Sequence, residues 1–362
     1  MKYRRFNRIK DTFHTLTDGL DVNEVKKLLK KEMPEVYSFY VARMEEPDSP
    51  VRSLRGKIRF GRKLFKIFLL ELSPARRIMY VISLFIFLEA ILASSLWWGF
   101  VGFVLLNLLI ALELADKITS NEELSVAKDI QNSLLPNSPP SNENYDISCY
   151  SETAKSVGGD YFDFIIKENN LIIAIGDISG KGMAAAIHMV QVQALFKHIL
   201  NTHPSPKEIL SELNDNLINL FRPGTFFTIN LASIKPDGSI QLCRAGHPPV
   251  IYFNCKENRC INLTPRGMGI GLSKNGLFNN SLEEIIITPE QGDLLIFYTD
   301  GITEAMNIYL REYGEDRFMN VIKGNASKTA AVIKSSIINS LKRFTTDAPV
   351  YDDITLIVLK KN

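Results

Sequence analysis

Four acidic positions in this chain have the residue types and spacing for chemistry. Asp160 stands in Ser156-Val157-Gly158-Gly159-Asp160-Tyr161-Phe162-Asp163, and Asp177 in Gly176-Asp177-Ile178-Ser179-Gly180-Lys181-Gly182. Asp300 follows an apolar run in Tyr298-Thr299-Asp300-Gly301, and the pair Asp352-Asp353 opens the run Ile354 to Leu359. One Asp-Gly step alone is an ordinary turn. Carboxylates at four separated strand ends are what an oxygen-ligand metal site needs. Carboxylate, carbonyl and water ligands suit Mg²⁺ or Mn²⁺ rather than Zn²⁺. A pair of such ions activates water and neutralises phosphate oxygens during in-line displacement. No cysteine or histidine is placed to form a phosphoenzyme, so direct attack by activated water is the economical mechanism.

The elements that must position these residues follow from the pattern around them. Phe162 to Ile166 and Leu171 to Ile175 read as two strands joined by a tight Glu168-Asn169-Asn170 turn. That hairpin sets Asp160 and Asp177 at neighbouring strand ends. A strand from Asp146 to Glu152 precedes it, and helices from Met183 to about Leu200 and from Pro206 to Leu220 follow. Next come strands Phe226–Ile234, Ser239–Ala245, Val250–Phe253, Cys260–Leu263, Leu282–Ile287 and Leu294–Tyr298. A helical stretch over 315–343 and a last strand from Ile354 complete a domain of 137–362. Antiparallel strands with helices in two blocks predict an α+β fold, two sheets covered by helices.

The 362 residues, 46% apolar and 23% charged, have room for this domain and an appendage. Residues 1–77 hold 19 Lys/Arg against 10 Asp/Glu in a chain whose net charge is only +2. Such a basic front suits nucleic acid or a negatively charged membrane face. The next segment favours the membrane: from Ile78 to Ala115 the charges are Glu89 and Glu113 alone. One helix of that length would rise about 57 Å, so a hairpin of two spans, about 78–95 and 98–115, is expected. Arg76, Arg77 and Lys117 flank it, which places both ends in the cytoplasm. Residues 1–77 are then a basic cytoplasmic region, with a helix expected from Val22 to Lys31 and a loop over 43–63. Residues 116–136 form a linker helix ended by Pro136. Its Leu124, Ala127, Gln131 and Leu134 suit either a coiled coil pairing two subunits or packing on the next domain. Cys149, Cys243, Cys255 and Cys260 form no CxxC pair and read as free thiols.

The ordered motifs resemble the SpoIIE-like, sigma-factor-regulating branch of the metal-dependent serine/threonine protein phosphatases (PPM, or type 2C). Those named above carry the resemblance, joined by Ala245-Gly246-His247-Pro248-Pro249, Thr303-Glu304-Ala305 and Asp129-Ile130-Gln131-Asn132-Ser133-Leu134-Leu135-Pro136. The resemblance covers about residues 120–362. It implies an α-β-β-α sandwich with two Mn²⁺ or Mg²⁺ ions at one end. By resemblance, Asp160, Asp177, Asp300 and Asp352 are the catalytic cluster and its metal ligands, with the backbone carbonyl of Ile178. Asp353 is the alternative ligand to Asp352, one residue on. The implied activity is a phosphoserine/phosphothreonine phosphatase, its substrate a phosphorylated anti-sigma-factor antagonist; the apolar hairpin, which the resemblance does not cover, adds an anchor in the inner membrane. Membrane lipid and a second copy of the chain are the other expected partners, and nucleic acid is not. The competing reading is a non-catalytic module of the same fold that sequesters a signalling partner.

Other residues carry weaker expectations. Lys181 is a point charge for phosphate or a solvated turn residue. His247 and His188 read as structural, and Ser156 and Asp163 as hydrogen-bonding support for the metal ligands.

Overall fold

The computed structural model describes residues 54–201, 205–274, 276–346 and 348–362. The expected helix at Val22–Lys31 lies outside them. The chain divides after Thr119 into two compact units.

The first unit contains helices α1 (Leu54–Glu71), α2 (Pro74–Leu92) and most of α3 (Leu96–Leu134). The expected loop over 43–63 is thus corrected in its described part, because residues from Leu54 onward are helical. Arg and Lys are good helix formers, and Leu64, Ile67 and Phe68 give one apolar face behind them. The Phe68 ring meets Tyr80 edge-on at 5.4 Å, and Arg77 Nη2 donates to the carbonyls of Leu70 (2.9 Å) and Leu72 (3.0 Å). Pro74 at the first helical turn starts α2, and Ser94, at φ 47°, turns the chain back into α3. Arg76 pairs with Glu113 at 3.0 Å and with Asp116 at 2.6 Å, closing α2 on α3.

The segments expected as a second span and as a linker helix leaving it are one helix, α3, which runs on to Leu134. No Gly or Pro interrupts residues 103–135, so only composition changes there. Among the described residues, α3 alone is long and apolar enough to cross a membrane. The 19-residue α2 carries Arg76, Arg77 and Glu89 and falls short of that standard. Trp97, Phe100, Phe103 and Ile110 on α3 are more than half exposed, so α3 is not a core helix of the described chain.

The second unit has ten described strands in two five-stranded antiparallel sheets. One runs β1 (Tyr145–Glu152), β10 (Ile354–Lys361), β9 (Leu294–Tyr298), β6 (Val250–Asn254), β7 (Arg259–Leu263). The other runs β2 (Tyr161–Lys167), β3 (Asn170–Ile178), β4 (Phe227–Ile234), β5 (Ile240–Ala245), β8 (Glu284–Ile287). The central strands are apolar on both faces, because both faces are covered. In β3, Leu171, Ile173 and Ile175 enter the core between the sheets, whereas Ile172 and Ala174 meet the helix layer of α4 (Met183–Ile199) and α5 (Pro206–Leu220). In β9, Leu295 and Phe297 face inward, and Leu294, Ile296 and Tyr298 face the opposite helix layer. That layer holds α7 (Glu315–Asn325) and α8 (Ala330–Thr345); the short α6 (Leu277–Ser281) was not anticipated. The expected α-β-β-α sandwich is the observed architecture.

The end of α3 belongs to this unit. Gln131 is buried and exchanges two hydrogen bonds with Gly158, donating at 2.7 Å and accepting at 3.1 Å. Gln193 of α4 donates to the carbonyl of Leu134 at 2.6 Å. Of the two readings of the linker helix, packing on the next domain describes these two residues.

Candidate active site

The β2–β3 hairpin turns through Glu168 and Asn169, both at positive φ (49° and 66°), and pairs Tyr161 with Gly176. Asp160, just before β2, therefore lies across from Asp177, one residue from the end of β3. In the facing sheet, β9 pairs with β10 in the register Tyr298↔Leu356, which brings Asp300 beside Asp352-Asp353. Four distant stretches of sequence thus meet at one end of the sandwich.

Asp160 is buried and its Oδ2 accepts hydrogen bonds from Thr355 (2.6 Å) and Thr299 (2.9 Å). Those hydroxyls cross from one sheet to the other and fix the carboxylate. Burial, with the negative charge of Asp177, still holds the Asp160 carboxyl well above the usual range, against the two threonine donors. Burial pushes Asp177 up to about 7, helped by the charges of Asp300, Asp352 and Asp353. Asp300 is raised by burial and by Asp352, opposed by the Gly301 N–H and by Lys181. These carboxylates sense one another's charge across the site. Among the described residues, however, no three acidic, imidazole or thiol side chains already close on a single point.

The donor set fits hard divalent cations. A methyl built on Gly159 would sit 2.9 Å from the Ile178 carbonyl oxygen and 3.0 Å from Asp177 Oδ1, so glycine keeps open a space that both oxygens face. All the converging donor groups are oxygens, the chemistry that Mg²⁺ or Mn²⁺ would require.

Asp352 and Asp353 part company here. Both Asp353 oxygens are engaged by main-chain donors, Ala154 N–H at 2.8 Å and Gly159 N–H at 2.7 Å. The Asp353 carboxylate fills the space beside Gly158, where a methyl would overlap it. Asp353 therefore pins the Gly158-Gly159 loop. Asp352 stands toward solvent and pairs with Lys181 Nζ at 2.6 Å. Lys181 also donates to the Tyr351 carbonyl at 2.8 Å, so it is a tethered part of the site's rim.

His247 is 1% exposed, and burial lowers its imidazole to about 3, leaving it neutral. Its Nδ1 lies 2.9 Å from Thr228 Oγ1, and Thr228 donates to the Asp177 carbonyl at 3.3 Å. It is a structural histidine, as is His188, which bonds Gln191 at 2.9 Å. Asp163 does not support the ligands. It accepts from Phe164 N–H (2.8 Å) and Tyr161 Oη (3.2 Å) and faces Lys197 at 3.5 Å. Ser156 is exposed. Sequence reasoning gave no role to Thr299 and Thr355, and it placed Gln131 on a packing face without its partner Gly158. The signal for the threonines was a polar residue at the site end of each of two apolar runs, Leu294–Tyr298 and Ile354 to Leu359.

The family model for Stage II sporulation protein E (SpoIIE) matches residues 167–362, more than half of the chain. The chain belongs to the SpoIIE family. Asp177, Asp300 and Asp352 of this SpoIIE-family phosphatase fall inside the matched residues, and Asp160 lies just before them. Among curated relatives it is 28% identical over 242 residues to the phosphoserine phosphatase RsbU of Bacillus subtilis, covering 66% of this chain and 70% of RsbU. It is also 28% identical over 291 residues to protein IcfG of Synechocystis, covering 70% of this chain but 44% of that protein. The solved SiaA-PP2C domain of Pseudomonas aeruginosa superposes with a TM-score of 0.60 at 17% identity, over 68% of this chain and 99% of that domain. The RsbU and RsbW domains of a Mycobacterium tuberculosis protein give 0.52 at 24% identity, over 62% of each chain. At these identities the two structures speak for the fold alone.

Proposed function

We infer that this phosphatase hydrolyses phosphoserine or phosphothreonine on a regulatory protein, using two Mn²⁺ or Mg²⁺ ions. The observation that carries the reading is the convergence of Asp160, Asp177 and Asp300 at one end of the sandwich, each carboxyl raised by burial and by at least one neighbouring acid. Buried like charges are costly unless a cation joins them. Asp160, Asp177, Asp300, Asp352 and the Ile178 carbonyl would hold the ions. When bound, these supply Lewis acidity that activates water and neutralises phosphate oxygens. Thr299 and Thr355 hold Asp160 in register, and Asp353 fixes the glycine loop beside it.

RsbU is named a phosphoserine phosphatase, and a solved relative joins an RsbU to an RsbW domain. These support a phosphorylated anti-sigma-factor antagonist as the substrate. The bare apolar surface of α3 supports anchoring in the inner membrane. The basic residues of 1–77 favour a cytoplasmic catalytic domain, and α2 beside α3 would complete a two-pass anchor. Contact of Leu124 and Ala127 with a second copy belongs to the same proposal.

The test is the rate of phosphate release from p-nitrophenyl phosphate and from a phosphoserine peptide by the full chain. Hydrolysis should require Mn²⁺ or Mg²⁺, stop with EDTA and return with metal. Hydrolysis unaffected by EDTA would end the two-metal reading, and partner capture without turnover would favour a sequestering module.

A further inference from the structure

Beside the carboxylates lies a recess of about 300 Å³ that phosphate chemistry does not require. Its floor is Leu341 and Ile338 of α8 with Ile354 of β10, all nearly buried. One wall is Ala305 and Met306, just after the Asp300 turn; the other is Val350 and Tyr351, just before Asp352. The recess and the acidic site share a rim, because Gly301, Lys181 and Asp352 line both. The lining is mostly apolar, and its two lysines are already paired with acids, Lys181 with Asp352 and Lys342 with Glu152, so an anion gains little from it. At the lower end of the range for small-ligand clefts (about 300–1,000 Å³), the volume suits one or two side chains.

The apolar surface continues at the mouth. Val350 and Tyr351 are 44% and 47% exposed, and the loop beyond Met306 presents Ile308, Tyr309 and Leu310 to solvent. Large apolar residues flanking a reactive centre on two loops mark a recognition surface.

We propose that this recess is a substrate subsite, receiving an apolar side chain within about three residues of the phosphorylated serine or threonine. The inference rests on the phosphatase reading above. An extended chain advances about 3.3–3.6 Å per residue. A phosphoryl group held between Asp300 and Asp352 therefore brings its next few neighbours to the shared rim. The site then reads a phosphorylated residue beside a Leu, Ile, Val or Met, and disfavours one in a wholly polar or glycine-rich setting.

Phosphopeptides test this without knowledge of the partner. The full chain with Mn²⁺ is given Gly-Gly-Gly-pSer-Gly-Gly-Gly and six relatives, each with one glycine replaced by leucine. Leucine at one or two positions should raise kcat/KM about tenfold or more over the all-glycine peptide. Ala305→Phe, which fills the recess, should abolish that preference and leave the all-glycine rate within about twofold. Val350→Ser, at an exposed position, should weaken it in the same way. Equal rates for all seven peptides in the unmodified protein would overturn the subsite, as would a uniform loss in both variants. Turnover of p-nitrophenyl phosphate but of no peptide would also overturn it. Absence of turnover on every substrate would instead remove the phosphatase reading, and this inference with it.

Discussion

The strand β9 carries an aspartate just beyond each end, and the two live differently. Asp293, ahead of Leu294, is 1% exposed and fully partnered: Cys255 N–H donates at 2.8 Å, Glu290 N–H at 2.9 Å, and the Tyr252 hydroxyl joins them. Asp300, two residues after Tyr298, is raised by burial and by the charge of Asp352, and its own charge raises Asp177 in turn. Both ends bring a carboxylate to the edge of the same sheet. At one end the chain supplies the donors, which makes the carboxylate a brace for the turn. At the other it supplies more carboxylates, which makes sense when a cation completes the set. The same contrast separates Asp353, held by two N–H groups, from Asp352 beside it.

Replacing each aspartate by asparagine should split the two ends cleanly. Asp300→Asn is expected to lower manganese-dependent turnover by a factor on the order of 10²–10³ or more, while the metal-free protein unfolds at the same temperature or higher, since a repelling charge is gone. Asp293→Asn should do the opposite. It loses about 1–3 kcal/mol of stability through unmatched donors, with turnover of the folded enzyme preserved. Calorimetric unfolding and initial rates on both variants suffice. Similar losses of activity in the two would break the comparison.

A smaller effect sharpens it at His247, a buried titratable group near the acidic end that has a hydroxyl partner, Thr228. Its folded pKa of about 3 lies below the ordinary value of about 6.5. The stability it contributes is therefore complete above about pH 6.5 and is lost as pH falls toward 3. Between pH 6.5 and 5 the loss is about 2 kcal/mol. In urea unfolding, His247→Gln should show a shallower acid decline than the unmodified chain. Identical slopes would mean that the imidazole takes up its proton while folded.

Much of the acidic end was legible because its signals are local. Aspartates at the edges of apolar runs, three of them beside a glycine, mark strand ends, and Glu168-Asn169 takes the positive φ of a tight hairpin. Element order followed from apolar runs and breakers. Other features depend on contacts between distant residues. Nothing near Gln131 reveals that it will reach Gly158, and nothing near Asp353 shows that Ala154 and Gly159 will claim its oxygens. The boundary placed after Ala115 was a change from apolar to polar composition, which a helix without Gly or Pro runs straight through. Residues 54–63, the start of α1, read as part of a loop in the sequence because their charges draw notice before the apolar spacing of the helix.

The central claim is that Asp160, Asp177, Asp300 and Asp352 together hold divalent cations. Isothermal titration of Mn²⁺ into the metal-free chain addresses it most directly, with Asp177→Asn and Asp293→Asn titrated alongside. The account predicts two ions per chain for the unmodified protein and for Asp293→Asn, with fewer or much weaker sites in Asp177→Asn. No bound manganese in the unmodified chain, or the same binding in Asp177→Asn, would contradict it.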